Sequence, residues 1–153
     1  MDQEAFRTAF EEYVPQGLQR AYDYVDQDNR VETIWIVGDR DGDWATANIV
    51  YQLSGVLARP KRVGELLGFD DPQERASAIL RPAILQLTGL LLRTGVRAQN
   101  PTRVVIRYDV AQQAMNADLR YEPLHMRPDD TLTEVFDAWF ERLRTTRDDS
   151  ASD

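Results

Sequence analysis

Along residues 2–25 the apolar positions Phe6, Phe10, Tyr13, Val14, Leu18, Ala21 and Val25 recur at helical spacing, with Glu11, Glu12 and Arg20 on the other side. Pro15 removes an amide donor inside this stretch and is expected to kink the helix or split it in two. The period then changes. β-Branched and aromatic residues in "VETIWIVGD" mark a strand from about Val31 to Val37, Ile34 and Ile36 on one face and Thr33 and Trp35 on the other. Both faces are partly apolar, which is the pattern of a strand covered on both sides. Beyond a turn, Ala45, Ala47, Ile49, Tyr51 and Leu53 form one face of a second strand, and Thr46, Asn48 and Gln52 the other. A short third strand is expected in "SGVLARPKRV", ending before Pro60.

"DDPQERASAILRPAILQLTGLLLRTG" opens with a helix start: Asp71 as cap, Pro72 at the first helical position, Glu74 three residues after the cap. The spacing predicts one helix to about Arg93, kinked near Pro82 and stopped by Gly95, apolar around much of its circumference and so centrally buried. "TRVVIRYDVAQQAMNADLRYEP" reads as a hairpin. Val104, Ile106, Tyr108 and Val110 alternate with Arg103, Arg107 and Asp109, and Met115, Ala117, Leu119 and Tyr121 alternate with Asn116, Asp118 and Arg120. One side of it is expected to meet a helix, the other solvent or a partner. In "TLTEVFDAWFERL", Thr131 and Glu134 form a capping box ahead of the stripe Val135, Phe136, Trp139, Phe140 and Leu143. The end of the chain, "RTTRDDSASD", lacks large apolar residues and is expected to be a flexible tail over 147–153. The expectation is an α+β fold in the order α-βββ-α-ββ-α. A three-strand meander and a hairpin form one antiparallel sheet against helices, in a single domain over 1–146.

Composition narrows the class. The 153 residues are 42% hydrophobic and 29% charged, an ordinary globular balance. There is no cysteine, hence no disulfide or thiolate chemistry, which suits a cytoplasmic setting. The longest apolar patch, around "LQLTGLLL", is too short for a membrane span and is interrupted by Gln86, Thr88 and Gly89. The net charge of −8 is unevenly spread. Residues 1–43 hold eleven acids against four arginines, residues 44–126 are net positive, and residues 127–153 hold eight acids against four arginines. Such a chain lacks the basic footprint of a nucleic-acid binder, and its acidic field favours encounter with a basic protein.

The segment "VGDRDGDWAT" brings Asp39, Asp41 and Asp43 within five positions. As a calcium loop it fails. The glycine falls fourth from Asp39 rather than sixth, the twelfth position is Val50 rather than a glutamate, and the flanks are strands. As a hairpin tip it succeeds, because Asp-Gly tolerates the positive φ of tight turns. Other chemistry is sparse: His125 is the single histidine, and no phosphate-binding glycine loop, nucleophile elbow or His-Glu-x-x-His pair occurs. Trp139 lies on a buried stripe, whereas Trp35 and Trp44 fit either a core or an exposed anchor beside the acidic tip.

The stretches "VETIWIVGDRDGDWATANIVYQLSG", "RVVIRYDVAQQAMNADLRYEP" and "EVFDAWFERL", with the long helix between the first two, resemble the YezG-like immunity proteins over roughly residues 5–145. The resemblance implies an antitoxin that binds a co-produced bacterial toxin, often a nuclease, by stoichiometric protein–protein inhibition in the cytoplasm, without catalysis, cofactor or metal. The chain departs from that family in its arginine-rich, lysine-poor makeup, Lys61 standing beside seventeen arginines, and in its short "SGVLARPKRVGELLG" segment. Binding residues in that family vary with the toxin and none is carried over; the acidic excess of the first third and the aromatic beside it make the expected toxin-binding set Asp26, Asp28, Asp39, Asp41, Asp43 and Trp44, facing a basic surface that normally grips nucleic acid. The alternative is a secretion chaperone or adaptor that holds an effector before export. Oligomeric state is open.

Overall fold

The computed structural model describes residues 2–93 and 100–152. The elements are α1 (Asp2–Tyr24), β1 (Val31–Asp41), β2 (Trp44–Leu53), β3 (Val56–Ala58), α2 (Pro60–Leu67), α3 (Pro72–Ile79), α4 (Arg81–Leu91), β4 (Arg103–Asp109), β5 (Ala114–Arg120) and α5 (Leu132–Thr146). The strands form one antiparallel sheet in the order β3-β2-β1-β4-β5, so the fold is α+β and β1 is its centre.

The alternation read from β1 sorts its side chains onto two cores. Ile34 and Ile36 join Ile49, Tyr51, Val104 and Ile106 beneath the helices of one face, with Phe10, Tyr13 and Leu18 of α1 and Leu87 of α4. Trp35 and Val37 join Val50 and Val105 on the other face, beneath Phe136, Trp139 and Leu143 of α5. Burying a large apolar side chain is worth about 1.5–3 kcal/mol, so each face makes a sizeable contribution. Buried tyrosines tie the first face together: Tyr13 donates to the Ala83 carbonyl at 2.9 Å and Tyr51 to the Ala21 carbonyl at 2.7 Å. Burial raises the pKa of both phenols.

Four expectations are corrected. Pro15 does not split α1, because Tyr13, Val14, Leu18 and Ala21 fasten the helix to the sheet on both sides of it. Pro15 itself is exposed, so the Glu11 carbonyl that loses its donor lies on a side open to water. The helix from Pro72 is two helices broken at Leu80, since Pro82 has no amide to offer Ala78. Its cap is as expected, Asp71 accepting from the Glu74 amide at 3.1 Å, but only Ala83, Leu87 and Leu91 of α4 are buried and Leu85 is exposed. Of the two, only α4 lies against the sheet, on β1 and β2, while α3 packs on α1, α2 and α4, and Gly95, the expected stop, lies outside the described residues. A further helix, α2, was not anticipated; Pro60 opens it and Gly68, at φ +82°, closes it with hydrogen bonds back to Glu65 and Gly64.

The end of the chain is the fourth correction. Residues 147–152 are fastened under the α5 face instead of trailing free. The Trp35 indole donates to the Asp149 carboxylate at 3.0 Å, the Trp139 indole to the Ser150 carbonyl at 3.0 Å, and the Ala151 amide to Asp118 at 2.7 Å. Ala151 is buried in the second core. Hydrogen bonds from two buried indoles, together with the packing of Ala151, hold this segment down.

Candidate functional site

The β1–β2 hairpin closes through Gly42 and Asp43 alone, Asp41 and Trp44 being the last paired residues. Gly42 has φ +58° and Asp43 does not have a positive φ, the arrangement of a type II′ turn, which requires glycine at its first central position. The tip is therefore a two-residue turn on a twisted ladder, short and stiff.

Its base is clamped. One register step inward from Arg40, the cross-strand partners Asp39 and Arg103 form a buried ion pair, with Nε to Oδ1 at 2.6 Å and side chains only 0% and 2% exposed. Arg40, on the opposite face, donates to the carbonyls of Pro101 at 3.0 Å and Asn100 at 2.8 Å, and to Gly42 at 3.3 Å. Asn100 in turn donates to the Leu91 carbonyl, so the hairpin root, the entry to β4 and the end of α4 form one hydrogen-bonded block.

On this block stand three of the six expected binding residues. Asp41 and Asp43 are exposed, and among the described residues no base pairs with either. Trp44 lies between solvent and the ladder with 76% of its surface exposed, a large value for a residue usually kept from water. The other three stand elsewhere. Asp39 is corrected from surface contact to structural element, since its carboxylate is wholly buried against Arg103. Asp26 and Asp28 lie before Val31, at the opposite end of the 11-residue strand β1, about 33 Å from the tip at 3.3 Å per residue. Asp28 is also neutralised locally: Arg30 donates to both of its oxygens, at 2.9 and 2.8 Å, and holds its carboxyl down at about 2. The single acidic patch expected over these positions is thus two separate ends. Trp35, left open from the sequence, is core.

A second surface feature escaped the sequence reading. Between α1 and β5 runs an apolar groove of about 620 Å³, walled by Phe10, Val14 and Leu18 on one side and Met115, Ala117 and Leu119 on the other. β5 is an edge strand whose first four residues are exposed, Met115 by 51%. The alternation of Met115, Ala117 and Leu119 was visible, but the hairpin was expected to carry a helix on that side, and α1 covers it only in part.

Among the described residues no three His, Asp or Glu side chains gather as a metal site, and no helix is long and apolar enough to cross a membrane. His125 is exposed in the loop before α5, beside Arg127, Asp130 and Glu134. No family model matches this chain, and no curated protein matches it. The resemblance to the YezG-like immunity proteins accordingly rests on its residue pattern.

Proposed function

We propose that the chain is an immunity protein: it binds a cognate toxin with a basic surface, stoichiometrically and without turnover, through the tip of the β1–β2 hairpin. The observation that carries this reading is Trp44, 76% exposed beside Asp41 and Asp43 on a turn whose root is locked by Arg40 and by the buried Asp39–Arg103 pair. The backbone that carries the indole is already fixed, so less freedom is lost on binding, and large aromatics dominate binding energy where a partner pocket dries them. Flanking carboxylates steer a basic partner inward over about a Debye length, roughly 8 Å at physiological salt. The tip thus pairs an anchor that sets dissociation with charges that set association.

The test is co-expression with the product of the gene immediately upstream. That product alone should arrest growth, and this chain should restore it. Trp44→Ala should weaken the complex by at least about 2 kcal/mol, roughly thirtyfold. An upstream product that is harmless, or a rescue indifferent to Trp44→Ala together with Asp41→Lys and Asp43→Lys, contradicts the proposal.

A further inference from the structure

We propose that β5 pairs antiparallel with β5 of a second copy of this chain, about a two-fold axis at Ala117, joining two five-stranded sheets into one and closing the α1–β5 groove. β5 is hydrogen-bonded to β4 on one side and forms the edge of the sheet on the other. An edge strand with exposed apolar residues is a template for further pairing unless something blunts it. Here its groove face, Met115, Ala117 and Leu119, carries no charge.

The choice of occupant follows from charge. The molecule carries a net −8, yet the groove rim holds Arg7 and Glu11, one of each sign, with Gln19. A basic partner gains nothing there that the hairpin tip does not offer better. The groove instead matches itself. With the axis at the midpoint of β5, Met115 faces Leu119 of the other copy, Ala117 faces Ala117, and Asn116 faces Asp118, so that no two like charges stand directly opposite. The helix wall carries one acid, Glu11, and one base, Arg7, so it adds no net charge to this face. The Asp118 carboxylates would be diagonal neighbours, about 7–8 Å apart, and each already accepts from an Ala151 amide. Repulsion between the net charges of the two copies acts mostly beyond the Debye length and is screened at physiological salt.

Sedimentation equilibrium of the full chain tests this. The wild type should approach twice the chain mass as concentration rises. Ala117→Asp and Ala117→Lys each set like charges face to face on the axis, and each alone should dimerise about tenfold more weakly or worse. Ala117 is exposed, so both variants should keep the wild-type circular dichroism and denaturation midpoint. An equimolar mixture of the two should recover the dimer, because only an axis at residue 117 brings the aspartate of one against the lysine of the other. A wild type that stays monomeric overturns the proposal and leaves the groove to a strand from a different protein. Dimerisation unaffected in both variants, or a mixture that fails to recover, overturns the placement. None of these variants touches the hairpin tip, so toxin neutralisation is read out separately.

Discussion

The two hairpins of this sheet share a topology and end in opposite ways. β1–β2 sits at the centre of the sheet, extends to a polar two-residue turn, and is locked at its root by a buried ion pair and the Arg40 hydrogen bonds. β4–β5 forms an edge, turns through the four residues 110–113, and leaves the groove-facing Met115 and Ala117 exposed. The first arrangement presents charge and one aromatic on a stiff support. The second presents a plain apolar strip with open backbone. Rigidity with charge suits capture of a foreign basic surface, whereas a strand edge whose groove face is uncharged suits pairing with its like.

Removing the lock at the hairpin root should have the largest effect. Asp39→Ala removes the carboxylate that meets the buried Arg103 guanidinium at 2.6 Å, which costs about 3–5 kcal/mol and should appear as a lowered urea midpoint. Replacing both partners by apolar residues should cost much less, since desolvation then falls on neither. Deleting residues 147–153 comes next. Trp35 and Trp139 lose their indole acceptors and the second core is uncovered at Ala151, for about 2–4 kcal/mol by the same measurement. Trp44→Ala separates function from folding: stability should change by no more than about 0.5 kcal/mol, while partner affinity falls by at least about 2 kcal/mol.

The smallest effect belongs to the far end of β1. Hydrogen bonds from Arg30 hold the Asp28 carboxyl at about 2, below the unfolded value of about 3.9. A carboxyl depressed on folding contributes stability above its unfolded pKa and loses that contribution as pH falls toward about 2. Because the pair is solvent-exposed, the loss should be slight, and Asp28→Asn should remove this part of the acid dependence without altering partner binding.

Period alone made most of this fold legible. Alternation in "VETIWIV" placed Ile34 and Trp35 on opposite covered faces, and the capping residues Asp71 and Thr131 mark helix starts as read, Thr131 accepting from the Glu134 amide. What stayed hidden depended on partners far along the chain. Asp39 and Asp41 look alike in sequence, and only the pairing of β1 with β4 brings Arg103, 64 residues on, against the first of them. Asp149 serves an indole 114 residues away, a demand that no local pattern displays. The break at Pro82 and the Pro60–Gly68 bounds of α2 are local signals that a long apolar run beside them masks. Of the candidate site, the tip was readable as a turn; its separation from Asp26 and Asp28 required the full length of β1.

The most direct test of a steering and anchoring hairpin is the kinetics of complex formation with the upstream gene product at low and physiological salt. The account predicts that Asp41→Lys with Asp43→Lys slows association and flattens its salt dependence, while Trp44→Ala leaves association nearly unchanged and speeds dissociation at least about thirtyfold. Rates identical to wild type in both variants, at both salt concentrations, would contradict it.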